Sequence, residues 1–196
     1  MKNIKFKDIL VPTVTLFVIC LIVSALLAGT NFLTKGPIAD NELKKSQEAM
    51  AAVCPEAASF EEISSSDYQA YKALDESGET IGCAVTVTSK GYGGDVAVMV
   101  GISTEGETAL GKVTGVEILS HSETPGLGAN AANENFRKEY NQDITASGFS
   151  VVKDGTGGGD GRIDAITGAT ITSNAVTNAV NEAVNIYQSL IEGGEL

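Results

Sequence analysis

Thr80-Ile81-Gly82-Cys83-Ala84-Val85-Thr86-Val87-Thr88-Ser89 alternates with a period of two, with Ile81, Cys83, Val85 and Val87 on one face and Ala84, Thr86 and Thr88 on the other. This is the pattern of a β-strand in a sheet. Outward from it on the N-terminal side, Glu76-Ser77-Gly78-Glu79 is a turn and Tyr68 to Leu74 a short strand. On the other side Lys90-Gly91-Tyr92-Gly93-Gly94 interrupts the sheet, and Asp95 to Ser103 gives a nearly continuous apolar strand. Thr104-Glu105-Gly106-Glu107 is a further turn before a strand from Lys112 to Ser120. Strands joined through such short turns pair antiparallel. Helical spacing appears at Ala129 to Tyr140 and again at Ile171 to Glu192, where Val176, Ala179, Val180, Ala183, Val184, Tyr187, Leu190 and Ile191 recur on one face. The expected fold class is therefore α+β, an antiparallel sheet with helices packed on it.

The 196 residues also hold a segment that does not belong to this domain. Ile9 to Ala28 carries no charged side chain, and about 20 such residues at about 1.5 Å rise match the hydrocarbon core of a bilayer. Lys2, Lys5 and Lys7 with the small pair Ala25 and Ala28 also suit a signal peptide, but the apolar run is long for one and continues through Asn31, Phe32 and Leu33. A retained anchor is expected, with residues 1–8 cytoplasmic, 9–33 in the membrane and the remainder extracytoplasmic, because the lysines precede the span. Thr34-Lys35-Gly36-Pro37 breaks the apolar pattern, and Pro37 suits the first turn of a new helix. That helix, with Leu43, Ala49, Met50 and Val53 inward, and a linker form a stalk over 34–60, the helix itself ending at Cys54-Pro55. The domain proper is expected at 61–196.

Beyond Asp8 the chain has 10 Lys+Arg against 24 Asp+Glu. Such a surface repels nucleic acid and anionic headgroups, and neither is expected as a partner. Cys20 lies in the span, and Cys54 and Cys83 stand far apart without a Cys-x-x-Cys or histidine partner, so no metal site is expected. Those two could form a disulfide in an oxidising compartment or remain buried thiols, and both readings stay open. His121, the only histidine, is read as a structural residue at a strand end.

Two loops carry chemistry. Thr167-Gly168-Ala169-Thr170-Ile171-Thr172-Ser173 places hydroxyls and small residues at the start of the last helix, where backbone N–H groups and the dipole favour an anion. Thr172, Ser173 and Asn174 are read as helix-start residues that also hold phosphate oxygens. The ordinary alternative is a helix cap. His121-Ser122-Glu123-Thr124-Pro125-Gly126-Leu127-Gly128 is a tight turn after a strand. The glycine-rich loop Asp154 to Gly161 lacks the spacing of a dinucleotide fingerprint and is a single copy as a calcium repeat. It is read as a mobile connection giving access to Thr170.

Asp164-Ala165-Ile166-Thr167-Gly168-Ala169-Thr170 resembles the flavinylation motif of the FMN-binding domain shared by the G subunit of Rnf electron-transport complexes and the C subunit of sodium-pumping NADH:quinone reductases. His121 to Gly128 resembles that family's second hallmark, and Gly91-Tyr92-Gly93-Gly94 a third segment. The resemblance implies FMN bound covalently to Thr170 through a phosphodiester, with Thr167, Gly168 and Ala169 around the attachment point. It further implies that Thr124 and Leu127 approach the flavin, with Glu123, Tyr92 and Gly93 nearby. Asp164 falls on the motif's Asp. The function implied is a membrane-anchored electron carrier in a ferredoxin:NAD oxidoreductase that moves sodium ions or protons, with other Rnf components as partners and a flavin transferase for maturation. No catalytic residue is expected in this chain, because the flavin carries the chemistry. The alternatives are a C subunit of a quinone reductase, which the brevity of the chain disfavours, and a tethered extracytoplasmic flavin or binding protein outside any pump.

Overall fold

The computed structural model describes residues 6–63, 65, 68–106, 108 and 110–196, and divides into two units, Met1–Lys44 and Lys45–Leu196. Helix α1 covers Phe6–Val53. It is helical through Thr34, Lys35, Gly36 and Pro37, where the sequence suggested a break. A proline inside a helix removes one hydrogen bond without forcing a stop. From Leu10 to Leu33 the large apolar side chains are exposed, including Phe17, Leu26, Leu27 and Phe32. Such a helix is long and apolar enough to cross a bilayer. The hydroxyls of Thr15 and Thr30 donate back to Val11 O and Leu26 O, both at 2.8 Å, so neither needs water.

The second unit is built on one sheet. Strands β1 (Ser59–Ile63), β2 (Gln69–Leu74), β3 (Thr80–Lys90), β4 (Asp95–Ser103) and β5 (Lys112–Ser120) lie side by side in sequence order, every pair antiparallel. The turn between β2 and β3 is fixed by Asp75, whose Oδ1 accepts from Ser77 N–H, Ser77 Oγ–H and Glu79 N–H at 2.7–2.8 Å. The alternation expected along β3 holds from Cys83 to Val87, but Ile81 crosses to the other face. The register skips it: Ala73 pairs with Gly82 and Leu74 with Thr80. One unmatched residue reverses the facing of those before it.

Helix α3 (Thr170–Glu192) covers one face of the sheet. Its Val176, Ala179, Val180, Ala183, Val184, Tyr187 and Leu190 meet Cys83, Val85, Val98, Val100, Ile102 and Val113 in one core. Each large aliphatic side chain buried there contributes roughly 1.5–3 kcal/mol. The opposite face is covered by residues from the end of α1: Ala49, Met50, Val53 and Cys54 pack on Ala73, Ala84 and Met99. Gly101 and Gly115, paired across β4 and β5, leave room for that contact. A Cβ on Gly115 would lie 2.7 Å from Val53 Cα, and one on Gly101 would be 2.6 Å from the Val53 carbonyl carbon. Thr114 Oγ1–H closes the junction by donating to Val53 O at 2.5 Å. Cys54 and Cys83 are both buried free thiols. The compact unit runs from Lys45 to Leu196 and includes β1, a strand the sequence did not announce.

The helix expected over Ala129 to Tyr140 is two short pieces, a 3-10 turn Gly128–Ala132 and helix α2 (Glu134–Lys138), separated by extended Asn133. Arg137 ties them to the sheet edge, donating from Nε to Ala132 O at 3.0 Å and from Nη1 to Val116 O at 2.9 Å, and pairing with Glu117. A small parallel pair, β6 (Ser150–Val152) and β7 (Arg162–Asp164), brackets the glycine-rich loop and delivers the chain to α3.

Candidate functional site

The start of α3, the loop after β5 and the loop between β3 and β4 converge on one cleft of about 610 Å³. Its walls are Tyr92, Glu123, Thr124, Leu127, Gly128, Gly168, Ala169, Thr170, Ile171 and Thr172. The strands set this up: β3 and β4 bring in Tyr92 at their connection, and β5 ends at Ser120, just before the Glu123–Gly128 turn. That turn is closed by Leu127 N–H and Ala129 N–H, both donating to Thr124 O, with Gly126 at a φ of +77°.

Helix α3 starts without a cap. The capping position is Ala169, which has no side-chain acceptor, so the leading N–H groups are offered to whatever lies in the cleft. The nearby hydroxyls are not substitutes. Thr172 Oγ1–H donates to Glu123 Oε2 at 2.7 Å. Ser173 Oγ accepts from Ile166 N–H at 2.9 Å and donates to Ala169 O at 3.1 Å, fully buried and away from the cleft wall. Asn174 Nδ2 donates to Thr170 O at 2.9 Å. Thr170, the first helical residue, is half-buried on the cleft wall.

Glu123 is the buried centre of an otherwise exposed loop, 6% accessible between exposed Ser122 and Thr124. Its Oε1 accepts from Gly93 N–H at 3.0 Å. Burial on its own would raise the carboxyl's pKa, but hydrogen bonds from Thr172 and the Gly93 and Tyr92 amides, with His121 nearby, outweigh it and hold the group below the ordinary carboxylate value. Glu123 is therefore an anion at neutral pH. Two glycines make room for the carboxylate and a third for the backbone just before it. A Cβ on Gly91 would strike Glu123 Oε1, one on Gly93 would strike Ser122 O, and one on Gly128 would strike Glu123 Oε2 and sit 2.6 Å from Thr172 Oγ1.

Of the residues singled out from sequence, Thr124, Leu127, Glu123, Gly168, Ala169, Thr170, Thr172 and Tyr92 meet at this cleft, while Gly93 stands behind Glu123. Thr167 is exposed in the turn before α3, outside the wall. Gly128 and Ile171 line the cleft and were not singled out; Gly128 is a glycine beside a buried carboxylate, and Ile171 an exposed apolar residue on a helix whose buried face it does not share. Asp164 is not in the cleft. Its Oδ1 accepts from Gly157 N–H at 3.1 Å and its own N–H donates to Glu139 Oε2 at 2.6 Å, so it fastens the glycine-rich loop.

Tyr92, Leu127 and Ile171 are exposed apolar surfaces around this opening. The combination of a hydroxyl, a helix start with no side-chain cap and apolar walls suits a ligand with a phosphate at one end and a flat ring at the other, and the volume lies within the usual range of about 300–1,000 Å³ for such sites. Among the described residues no cluster suited to a metal ion occurs.

Residues 91–185 match the FMN-binding domain family, and residues 1–53 match the RnfG N-terminal region. The chain is 35% identical over 195 residues to the G subunit of the ion-translocating oxidoreductase complex of Methanosarcina acetivorans, an alignment covering 95% of this chain and 98% of that one. It is 34% identical over 206 residues to the G subunit of the Na(+)-translocating ferredoxin:NAD(+) oxidoreductase complex of Acetobacterium woodii, covering 96% of each. The crystal structure of Shewanella oneidensis NqrC superposes with a TM-score of 0.52 at 23% identity over 70% of this chain and 67% of that one, a likeness of fold.

Proposed function

Because this chain belongs to the G-subunit family of ion-translocating oxidoreductase complexes, we propose that FMN esterified through its phosphate to Thr170 Oγ1 occupies the cleft at the start of α3. The chain is a membrane-associated, FMN-binding electron-transport component of an Rnf-type complex, and the other members of that complex are its partners. The match of residues 1–53 to the RnfG N-terminal region favours this assignment over the C subunit of a quinone reductase.

The observation that carries the proposal is the position of Thr170: a hydroxyl on the cleft wall at the first residue of a helix that has no side-chain cap. The phosphate would lie on the leading N–H groups, worth about 0.3–1 kcal/mol in an exposed setting, while the ester prevents loss of the cofactor. Leu127 and Tyr92 would flank the ring and shield it from water, and Thr124 would offer its hydroxyl at the rim. FMN, when bound, supplies the electron-accepting chemistry. No side chain of this protein is asked to act as acid, base or nucleophile during turnover. The three lysines ahead of the span favour a cytoplasmic N-terminus and an extracytoplasmic cleft, where a flavin transferase would install the ester.

The test is peptide mass mapping with in-gel flavin fluorescence on full-length protein produced beside a flavin transferase. An FMN-sized mass addition on the peptide bearing Thr170, abolished by Thr170→Ala, is expected. Protein free of covalent flavin under those conditions, or flavin retained in the alanine variant, refutes the assignment.

A further inference from the structure

We infer that Glu123 is the positioning residue of this cleft, joining the loop that carries Tyr92 to the helix that carries Thr170, and that its carboxylate sets the electron affinity of the flavin seated there. The inference rests on the flavin site proposed above and assigns to one buried group two separable effects.

Geometry carries the first. Each carboxylate oxygen serves a different element: Oε1 takes the Gly93 N–H from the loop between β3 and β4, and Oε2 takes the Thr172 hydroxyl from the first turn of α3. These elements are distant in sequence, 30 and 49 residues from Glu123. Glu123 itself sits in the turn that carries Thr124 and Leu127, so three cleft walls meet at one carboxylate. Gly91 and Gly128 close around it so tightly that a side chain at either position would displace the carboxylate. Leu127 then lies over Gly168, whose Cβ, if present, would be 3.1 Å from Leu127 Cδ2. A cleft assembled this way loses its shape if the carboxylate is shortened or removed.

Charge carries the second. Glu123 is an anion, no lysine or arginine lines the cleft among the described residues, and the formal charge of the chain is −12. A fixed negative charge in a cleft wall disfavours any state of a neighbouring group that holds an extra electron. The carboxylate cannot swing away, because both oxygens are held. The bound flavin is therefore expected to take up an electron less readily than it would with a neutral residue in the same place.

Glutamine separates the two effects. In Glu123→Gln the amide oxygen can accept from Gly93 N–H while the amide N–H₂ donates to Thr172 Oγ1, so the junction survives without the charge. Glu123→Asp keeps the charge and shortens the reach, and Glu123→Ala removes both. The experiment is spectroelectrochemical titration of full-length, detergent-solubilised protein produced beside a flavin transferase, with flavin occupancy read by absorbance against protein.

Glu123→Gln is expected to load like wild type and to bind an electron about tenfold more tightly, a rise of about 59 mV for a one-electron step. Glu123→Asp is expected to load several-fold less but to keep the wild-type midpoint potential, and Glu123→Ala to load least. A loaded Glu123→Gln with an unchanged potential overturns the electrostatic role. Full loading of Glu123→Ala overturns the positioning role. If Glu123→Gln fails to load while Glu123→Asp loads, the charge acts in attachment, and the division into two roles is wrong. Wild-type protein that carries no flavin fails earlier, at the site itself, and is thereby distinguished from failure of Glu123.

Discussion

Gly128→Ala tests the architecture of the cleft at the wall residue that packs against Glu123 and Thr172. The new methyl would sit 2.6 Å from Thr172 Oγ1 and 2.9 Å from Glu123 Cβ, and closer still to Glu123 Oε2. Relief requires the Thr172–Glu123 hydrogen bond to open, because the carboxylate's other oxygen is held by Gly93. A hydrogen bond to a charged group contributes about 1.5–3 kcal/mol, and about 2–4 °C of melting temperature accompanies each kcal/mol in a unit of this size, so Tm should fall by about 3–12 °C. The assay is a thermal melt of the full-length protein in detergent, followed by circular dichroism, beside variants of Gly126. Gly126 has open space around it but a φ of +77°, so its requirement is conformational rather than spatial. Asparagine tolerates that backbone better than alanine, and Gly126→Asn should melt above Gly126→Ala. At Gly128 the order should reverse, since asparagine is the larger. A Gly128→Ala protein that melts with wild type, or the same order at both positions, would refute the reason Glu123 requires a glycine at 128.

Tyr140→Phe removes a buried hydrogen bond of 2.7 Å to Thr177, whose own hydroxyl also donates to Ser173 O, so a loss of about 1 kcal/mol, or about 2–4 °C in a thermal melt, is expected. The Glu139 carboxyl is pushed above its ordinary value by burial and by the Asp164 charge, against the Asp164 N–H that favours ionisation. The folded state therefore holds that proton more tightly than the unfolded chain, and ionised Glu139 weakens the fold above its folded pKa; Glu139→Gln should raise Tm at pH 7 and lose that advantage below about pH 4. Burial lifts the Cys54 thiol to about 11 and Cys83 further, so native protein at pH 8 should alkylate at these two positions only after denaturation, as mass spectrometry of trapped peptides would show.

The sheet was legible because β3 alternates, β4 is a nearly continuous apolar run and glycine-containing turns bound them, and α3 because its apolar face runs unbroken from Val176 to Leu190. What sequence missed has physical causes. Ser59-Phe60-Glu61-Glu62-Ile63 reads as polar because β1 is an edge strand with only Ile63 buried. Ile81 is misplaced by a bulge, which leaves no mark in an alternating pattern. The short pieces after Gly128 share helical spacing with a true helix, but extended Asn133 divides them. At the cleft the motif residues could be named, yet their roles depended on partners far along the chain. Only the fold reveals that Thr172 serves Glu123, that Ser173 faces inward, and that Asp164 restrains a loop outside the cleft.

The contact between Val53 and the Gly101–Gly115 pair decides where a soluble fragment can begin. A cut at 61, the expected domain start, would strip Met50 and Val53 from the underside of the sheet, remove Ser59 and Phe60 from the edge strand, and leave Met99 and Ala84 facing water beside two glycines. The resulting bare patch is an aggregation surface. A cut before Lys45 keeps that cover in place, because Ala49, Met50 and Val53, the first buried residues of the compact unit, form the floor of its sheet.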